Sequence, residues 1–256
     1  MGIKDGHHFP GRYDTSMTSD TWHRPHTPAA LINLVRKTAS ARKYRLVAAT
    51  VCAQACDHFG LVDLKELISS LTSFAEGTLT PEGWNQLSHG IERVMHETES
   101  DGLRPSNTIA IAMQAAIHPL PEEGCRRSIQ WMTATMVRPF GTTKPAKKRS
   151  IVQAEVGNII REIFANPIRP PWYPIPDWMG RGPGLMQPDG RQVSLSWTAQ
   201  ELARGIDADQ AFDRMPILAD ALEEAGLTDL EFLDHCRQGG PHLRGCWALD
   251  LVLGKS

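Results

Sequence analysis

The stretch Ser40-Ala41-Arg42-Lys43-Tyr44-Arg45-Leu46-Val47-Ala48-Ala49-Thr50-Val51-Cys52-Ala53-Gln54-Ala55-Cys56-Asp57-His58-Phe59 reads as one amphipathic helix. Tyr44, Val47, Ala48, Val51, Ala55 and Phe59 recur at three- and four-residue steps, which stacks them on one face. Ser40 offers an N-cap hydroxyl to the first free N–H groups. Arg42, Lys43 and Arg45 crowd the end where the helix dipole disfavours cations. They are expected to meet acids brought from elsewhere or to face water.

Helical signals continue on both sides of this stretch. Leu61 to Glu76 carries Leu64, Leu67, Ile68 and Leu71 on one face and stops at Gly77. Thr80-Pro81-Glu82 places a cap residue before a first-turn proline and opens a helix through Trp84, Leu87, Ile91 and Val94. Further helices are predicted at Thr108 to His118, Gly124 to Val137 and Ile151 to Phe164. Residues 166–190 hold seven prolines and four glycines with Trp172, Tyr173 and Trp178, a density that predicts a loop without helix or central strand. Capping boxes at Thr198/Glu201 and Thr228/Glu231 and a first-turn Pro216 then predict three short helices, and Trp247 to Leu253 a fourth. The fold expected is mainly α: an antiparallel helical bundle or short repeat-like array, with a Pro/Trp-rich loop between the helices of its two halves. Residues 1–28 read as a flexible arm, 29–138 as a helical region, 139–150 as a basic linker and 151–256 as a C-terminal helical region able to pack with the first as one domain.

The 256 residues are 41% hydrophobic and 22% charged, with a net charge of −2, so the chain has no overall field attracting nucleic acid or anionic lipid. No apolar run approaches the roughly 20 residues of a membrane span. Met1 to His8 lacks the apolar core of a secretory signal. Gly6 stands where a myristoylation pattern needs Ser or Thr. Five cysteines, an odd number, suit reduced thiols in a cytoplasmic protein better than a disulfide framework.

Four blocks carry a resemblance: Ala39 to Leu46, Ile160 to Pro170, Phe212 to Leu222 and Gly240 to Leu251. Together they resemble an uncharacterised group of helical proteins expanded in planctomycete bacteria. The resemblance implies a bacterial protein with one architecture across both halves of the chain. It implies no activity, cofactor or site residue.

The chemistry-bearing residues concentrate near the C-terminus. His235, Cys236, His242 and Cys246 place two imidazoles and two thiols within twelve residues, a donor set zinc accepts. The spacing is poor for a metal: His235 and Cys236 are adjacent and point to different faces of a helix, and no Cys-x-x-Cys pair is present. Cys246 with His242 and Asp234 or Asp250 has the residue types of a thiol triad. Against both stands a structural reading: Gly239, Gly240, Pro241 and Gly245 form a turn that Trp247 anchors, with Arg244 paired to Asp250 or Asp220. Cys52 and Cys56, one turn apart with His58 nearby, fit core packing better than a metal half-site. Lys144, Lys147, Lys148 and Arg149 lack interleaved aromatics and read as a solvated linker, so nucleic-acid binding is not expected. Phosphate-binding loops, His-Glu-x-x-His and Gly-x-Ser-x-Gly are missing. The sequence therefore favours a non-enzymatic protein that binds or scaffolds an unidentified protein partner, with no cofactor. The alternative is a zinc-dependent or thiol enzyme using the His235 to Cys246 segment.

Overall fold

A computed structural model describes residues 22–24, 26–96, 104–137, 145–167, 173–175, 184–238 and 240–255. Its first unit is helical: α1 (Pro28–Val35), α2 (Ala41–Phe59), α3 (Lys65–Glu76), α4 (Pro81–His96), α5 (Pro105–Ala116), α6 (Pro121–Val137) and α7 (Pro145–Ile163). A three-stranded sheet follows, β1 (Tyr173–Ile175), β2 (Gly184–Met186) and β3 (Gln192–Ser194). The second unit closes with α8 (Trp197–Asp209), α9 (Met215–Glu224), α10 (Leu230–Arg237) and α11 (Trp247–Val252). The mainly α expectation holds. Among the described residues no helix is long and apolar enough to cross a membrane.

The opening helix α2 is the centre of the first unit and touches α3, α5, α6 and α7. Ser40 caps it, its hydroxyl accepting from the Lys43 N–H at 3.3 Å. The single face read from the sequence understates its burial. Leu46, Ala49, Cys52 and Cys56 are also buried, because neighbours surround the helix on more than one side. Cys52 and Cys56 therefore pack as small apolar groups, as expected, and burial raises both thiol pKa values.

Three boundaries differ from expectation. Of the basic stretch 139–150, the described residues 145–150 open α7 instead of forming a linker. Lys147, Lys148 and Arg149 lie on the first turns of α7, and Val152, Val156, Ile160 and Ile163 of that helix fill the first core. The core changes instead after Phe164, where Ala165 begins to pack on the second cluster. Lys144 lies outside the described residues. The arm also ends earlier than residue 28: Trp22 is buried in the first core, and its carbonyl accepts from Arg161 Nε at 2.9 Å. A large apolar ring gains too much from burial to remain loose.

The third difference is the sheet inside the proline-rich stretch. Its strand order is β1-β2-β3, all antiparallel, with Pro174 opposite Leu185 on an edge strand. An edge position leaves one side of the strand unpaired, so the missing N–H is tolerated there. At Gly184 the neighbouring strand comes so close that a Cβ would lie 2.7 Å from the Val193 carbonyl oxygen. Trp172 and Trp178 lie outside the described residues. The helix caps also shift. Ser196, not Thr198, caps α8, and Asp229, not Thr228, caps α10, because those residues hold the extended backbone a cap needs. The Thr228 hydroxyl instead accepts from Arg191 at 2.7 Å.

Candidate metal centre at the seam of the two units

Two polar clusters lie where the units meet. The first begins at the cation-rich start of α2. Arg42 donates to Glu76 of α3 at 2.8 and 3.0 Å and to Asp250 of α11 at 2.6 and 3.2 Å. Asp250 is 2% exposed and also pairs with Lys43 Nζ at 3.1 Å. Burial opposes the Arg42 charge, but its bonds to Glu76 and Asp250 outweigh burial and raise its pKa. For Lys43 burial prevails over Asp250 and lowers the pKa. Arg42 and Lys43 thus find acids brought from elsewhere, whereas the Arg45 guanidinium lies over the Phe74 ring, 4.6 Å from its centroid. Asp250 is taken by Arg42 and Lys43 and Asp220 by Arg237, so neither is the partner predicted for Arg244.

Lys43 also reaches the second cluster. Its Nζ donates to the carbonyl of Ile163 at 2.7 Å and to that of Gly245 at 3.4 Å. These residues directly follow Glu162 and precede Cys246. One ammonium group therefore ties together the two backbone segments that carry the next set of side chains.

That set is Glu162, His235, His242 and Cys246, one donor atom from each lying within 4.8 Å of all the others. Glu162 projects from the last turn of α7 and His235 from α10. His242 and Cys246 come from the turn between α10 and α11. Gly245 makes this turn possible. Its φ of +85° suits glycine, and a Cβ there would sit 2.6 Å from Leu46 Cδ1. Trp247 anchors the turn, with Phe232 against it at 5.1 Å and the His235 ring at 4.8 Å.

Three of the four sequence-predicted ligands are thus brought together. Cys236 is not. It follows His235 by about 100° around the helix axis and points into the second core, where burial raises its thiol to about 12. The residue that sequence reading missed is Glu162. Its one local signal is a carboxylate placed between the buried helix positions Ile160 and Ile163. The predicted triad acids do not join: Asp234 is exposed, and Asp250 belongs to the other cluster.

The contacts discriminate between a thiol triad and a ligand set. His235 Nε2 lies 3.2 Å from Cys246 Sγ and 3.6 Å from Glu162 Oε2. His242 Nδ1 lies 3.0 Å from Glu162 Oε1 and 4.0 Å from Cys246 Sγ. In a triad the base uses one ring nitrogen for the nucleophile and the other for the acid. Here the same nitrogen of each ring faces both partners, so the donors converge on a common point. Tetrahedral zinc, with bonds of about 2.0–2.3 Å, separates its ligand atoms by about 3.3–3.6 Å. The observed spacings bracket that range.

Electrostatics favour the same arrangement. Burial and the Glu162 charge push the Cys246 thiol well above its usual value, so it is not a ready nucleophile. Burial lowers His235 to about 4, keeping the imidazole neutral and able to act as a ligand. Burial would raise the Glu162 carboxyl, but the hydrogen bond with His242 and the nearby imidazoles outweigh it, leaving a carboxylate. In comparisons with known proteins, no family model matches the chain, and neither a curated protein nor a solved structure does.

Proposed function

We propose that this protein is a zinc-binding helical module. One ion held by Glu162, His235, His242 and Cys246 fastens the C-terminal unit onto the helical unit and shapes a binding surface between them. The convergence of four donor atoms from α7, α10 and the turn before α11 carries the reading. Four protein ligands complete a tetrahedral zinc shell, which suits a structural ion and a binding role rather than catalysis. The thiol would bind as thiolate, its proton leaving as the metal enters. Five cysteines without a disulfide support a reducing, cytoplasmic setting.

Metal analysis of the purified full chain tests the reading, with one equivalent of zinc expected. Cobalt substitution should produce a thiolate-to-cobalt charge-transfer band that disappears in Cys246→Ser and persists in Cys236→Ser. Failure to retain or take up zinc would refute the proposal, as would a cobalt band that depends on Cys236 instead.

A further inference from the structure

Beside the four-residue centre lies a cleft of about 890 Å³ between α2 and α7 on one side and α10 with its following turn on the other. Its volume falls in the range of small-molecule sites, and junctions between units are common places for them. Among the described residues five carboxylates line it, Asp57, Glu155, Glu162, Glu231 (3.7 Å from His23 Nε2) and Asp234, against one permanently charged cation, Arg161. That guanidinium is engaged with backbone, donating to the carbonyls of Trp22 at 2.9 Å and Arg24 at 2.8 Å. A zinc ion at the inner end would be balanced by the Glu162 carboxylate and the Cys246 thiolate, so the filled centre adds no net charge. The acidic excess therefore belongs to the cleft walls. Asp57 and Glu155 stand on one unit and Asp234 on the other, so a cation in the cleft would have carboxylates from both units near it.

A second observation concerns Gln54, also in the wall. Its side-chain oxygen is buried and has no hydrogen-bond partner among the described residues. A buried acceptor left unmade is costly, and a turn of the Gln54 side chain would present it to an N–H donor in the cleft. Between the acidic walls, Trp247, Ile159 and Leu243 supply apolar surface. Acids contributed by both units, an unused acceptor and an apolar strip suit a ligand with ammonium groups at both ends and methylenes between.

We propose that the cleft binds a linear diamine or polyamine. Its ammonium groups meet Asp57 and Glu155 on one wall and Asp234 on the other, one N–H donates to Gln54, and its carbon chain lies along Trp247. The proposal goes beyond the zinc reading and uses it only for the charge balance at the inner end; without zinc, the Glu162 carboxylate makes the cleft more acidic still.

Calorimetric titration of the zinc-loaded full chain with spermidine tests it, with n-butylamine as the monoamine comparison at matched ionic strength. Saturable one-to-one binding is expected, about tenfold or more tighter than for the monoamine. Glu155→Gln and Asp234→Asn, neither a metal ligand, should each weaken spermidine by about tenfold, the loss of one charge-assisted contact. Glu123→Gln, remote from the cleft, should leave it unchanged. Absence of saturable binding, equal affinity in the cleft variants and wild type, or an equal loss in Glu123→Gln would overturn the proposal. Zinc is measured in the same samples, which separates the two readings. Zinc-loaded protein that ignores spermidine removes the cleft and keeps the centre. Spermidine binding by protein that never takes up zinc does the reverse.

Discussion

The two polar clusters at the seam lie on either side of Lys43 and differ in one respect. Arg42, Lys43, Glu76 and Asp250 combine cations with anions, so each buried charge has an opposite partner in place. Glu162, His235, His242 and Cys246 combine a carboxylate, two imidazoles and a thiol with no lysine or arginine among them. The first set is complete as a protein structure. The second is the set to which the proposed zinc ion would add the opposite charge. Both were built by the same packing event, the docking of α11 and its preceding turn against α2 and α7. The difference teaches that residue inventory separates a structural clamp from a candidate ligand site once the geometry has gathered the residues.

The largest effect should come from the clamp. Asp250→Ala leaves Lys43 without its acid and removes one of two from Arg42. It should cost about 3–5 kcal/mol in urea unfolding. A loss no greater than that of Glu162→Gln would erase the distinction between the clusters. Gly245→Val comes next, expected to cost about 2 kcal/mol or more, because it combines a positive φ with a clash on Leu46. A variant as stable as wild type but without zinc would show that the turn serves the ligands rather than the packing.

Cys52→Ser should cost about 1–3 kcal/mol, since it buries a hydroxyl among apolar side chains, and leave zinc content unchanged. Loss of zinc in this variant would mean that the core thiols, not Cys246, bind the metal. The smallest stability effect belongs to Glu162→Gln, within about 1 kcal/mol for metal-free protein, since the substitution keeps shape and removes a buried charge. Its zinc affinity, measured by competition with a chelator, should fall by at least the roughly hundredfold that even a supporting residue can cost. Unchanged affinity would remove Glu162 from the ligand set.

Much of the helical fold was legible because its signals are local. The spacing along Ser40 to Phe59, the Thr80 cap and the Gly77 stop each act within one or two turns. The sheet at 173–194 was hidden, because proline density argues against strands unless an edge position makes the missing N–H harmless. The end of the first unit was hidden too. The basic residues 147–149 look like a linker in isolation, yet they open a helix whose apolar face fills the first core. In the centre, His235, His242 and Cys246 stood out by type and proximity. Cys236 looked equal to them, and only its angle around α10 removes it.

By itself, the sequence determined the helix periodicity, the glycine-bearing turn before Trp247 and the supply of imidazoles and thiols near the C-terminus. Each follows from interactions between residues a few positions apart. Tertiary structure alone decided that Glu162 completes the set and that Asp250 does not, although Asp250 is much nearer in the chain. Glu162 lies 3.0 Å from His242 because α7 ends at the seam, while Arg42 and Lys43 hold Asp250 on the other side of it. Which carboxylate meets an imidazole is set by how helices distant in sequence pack, and no local pattern records that.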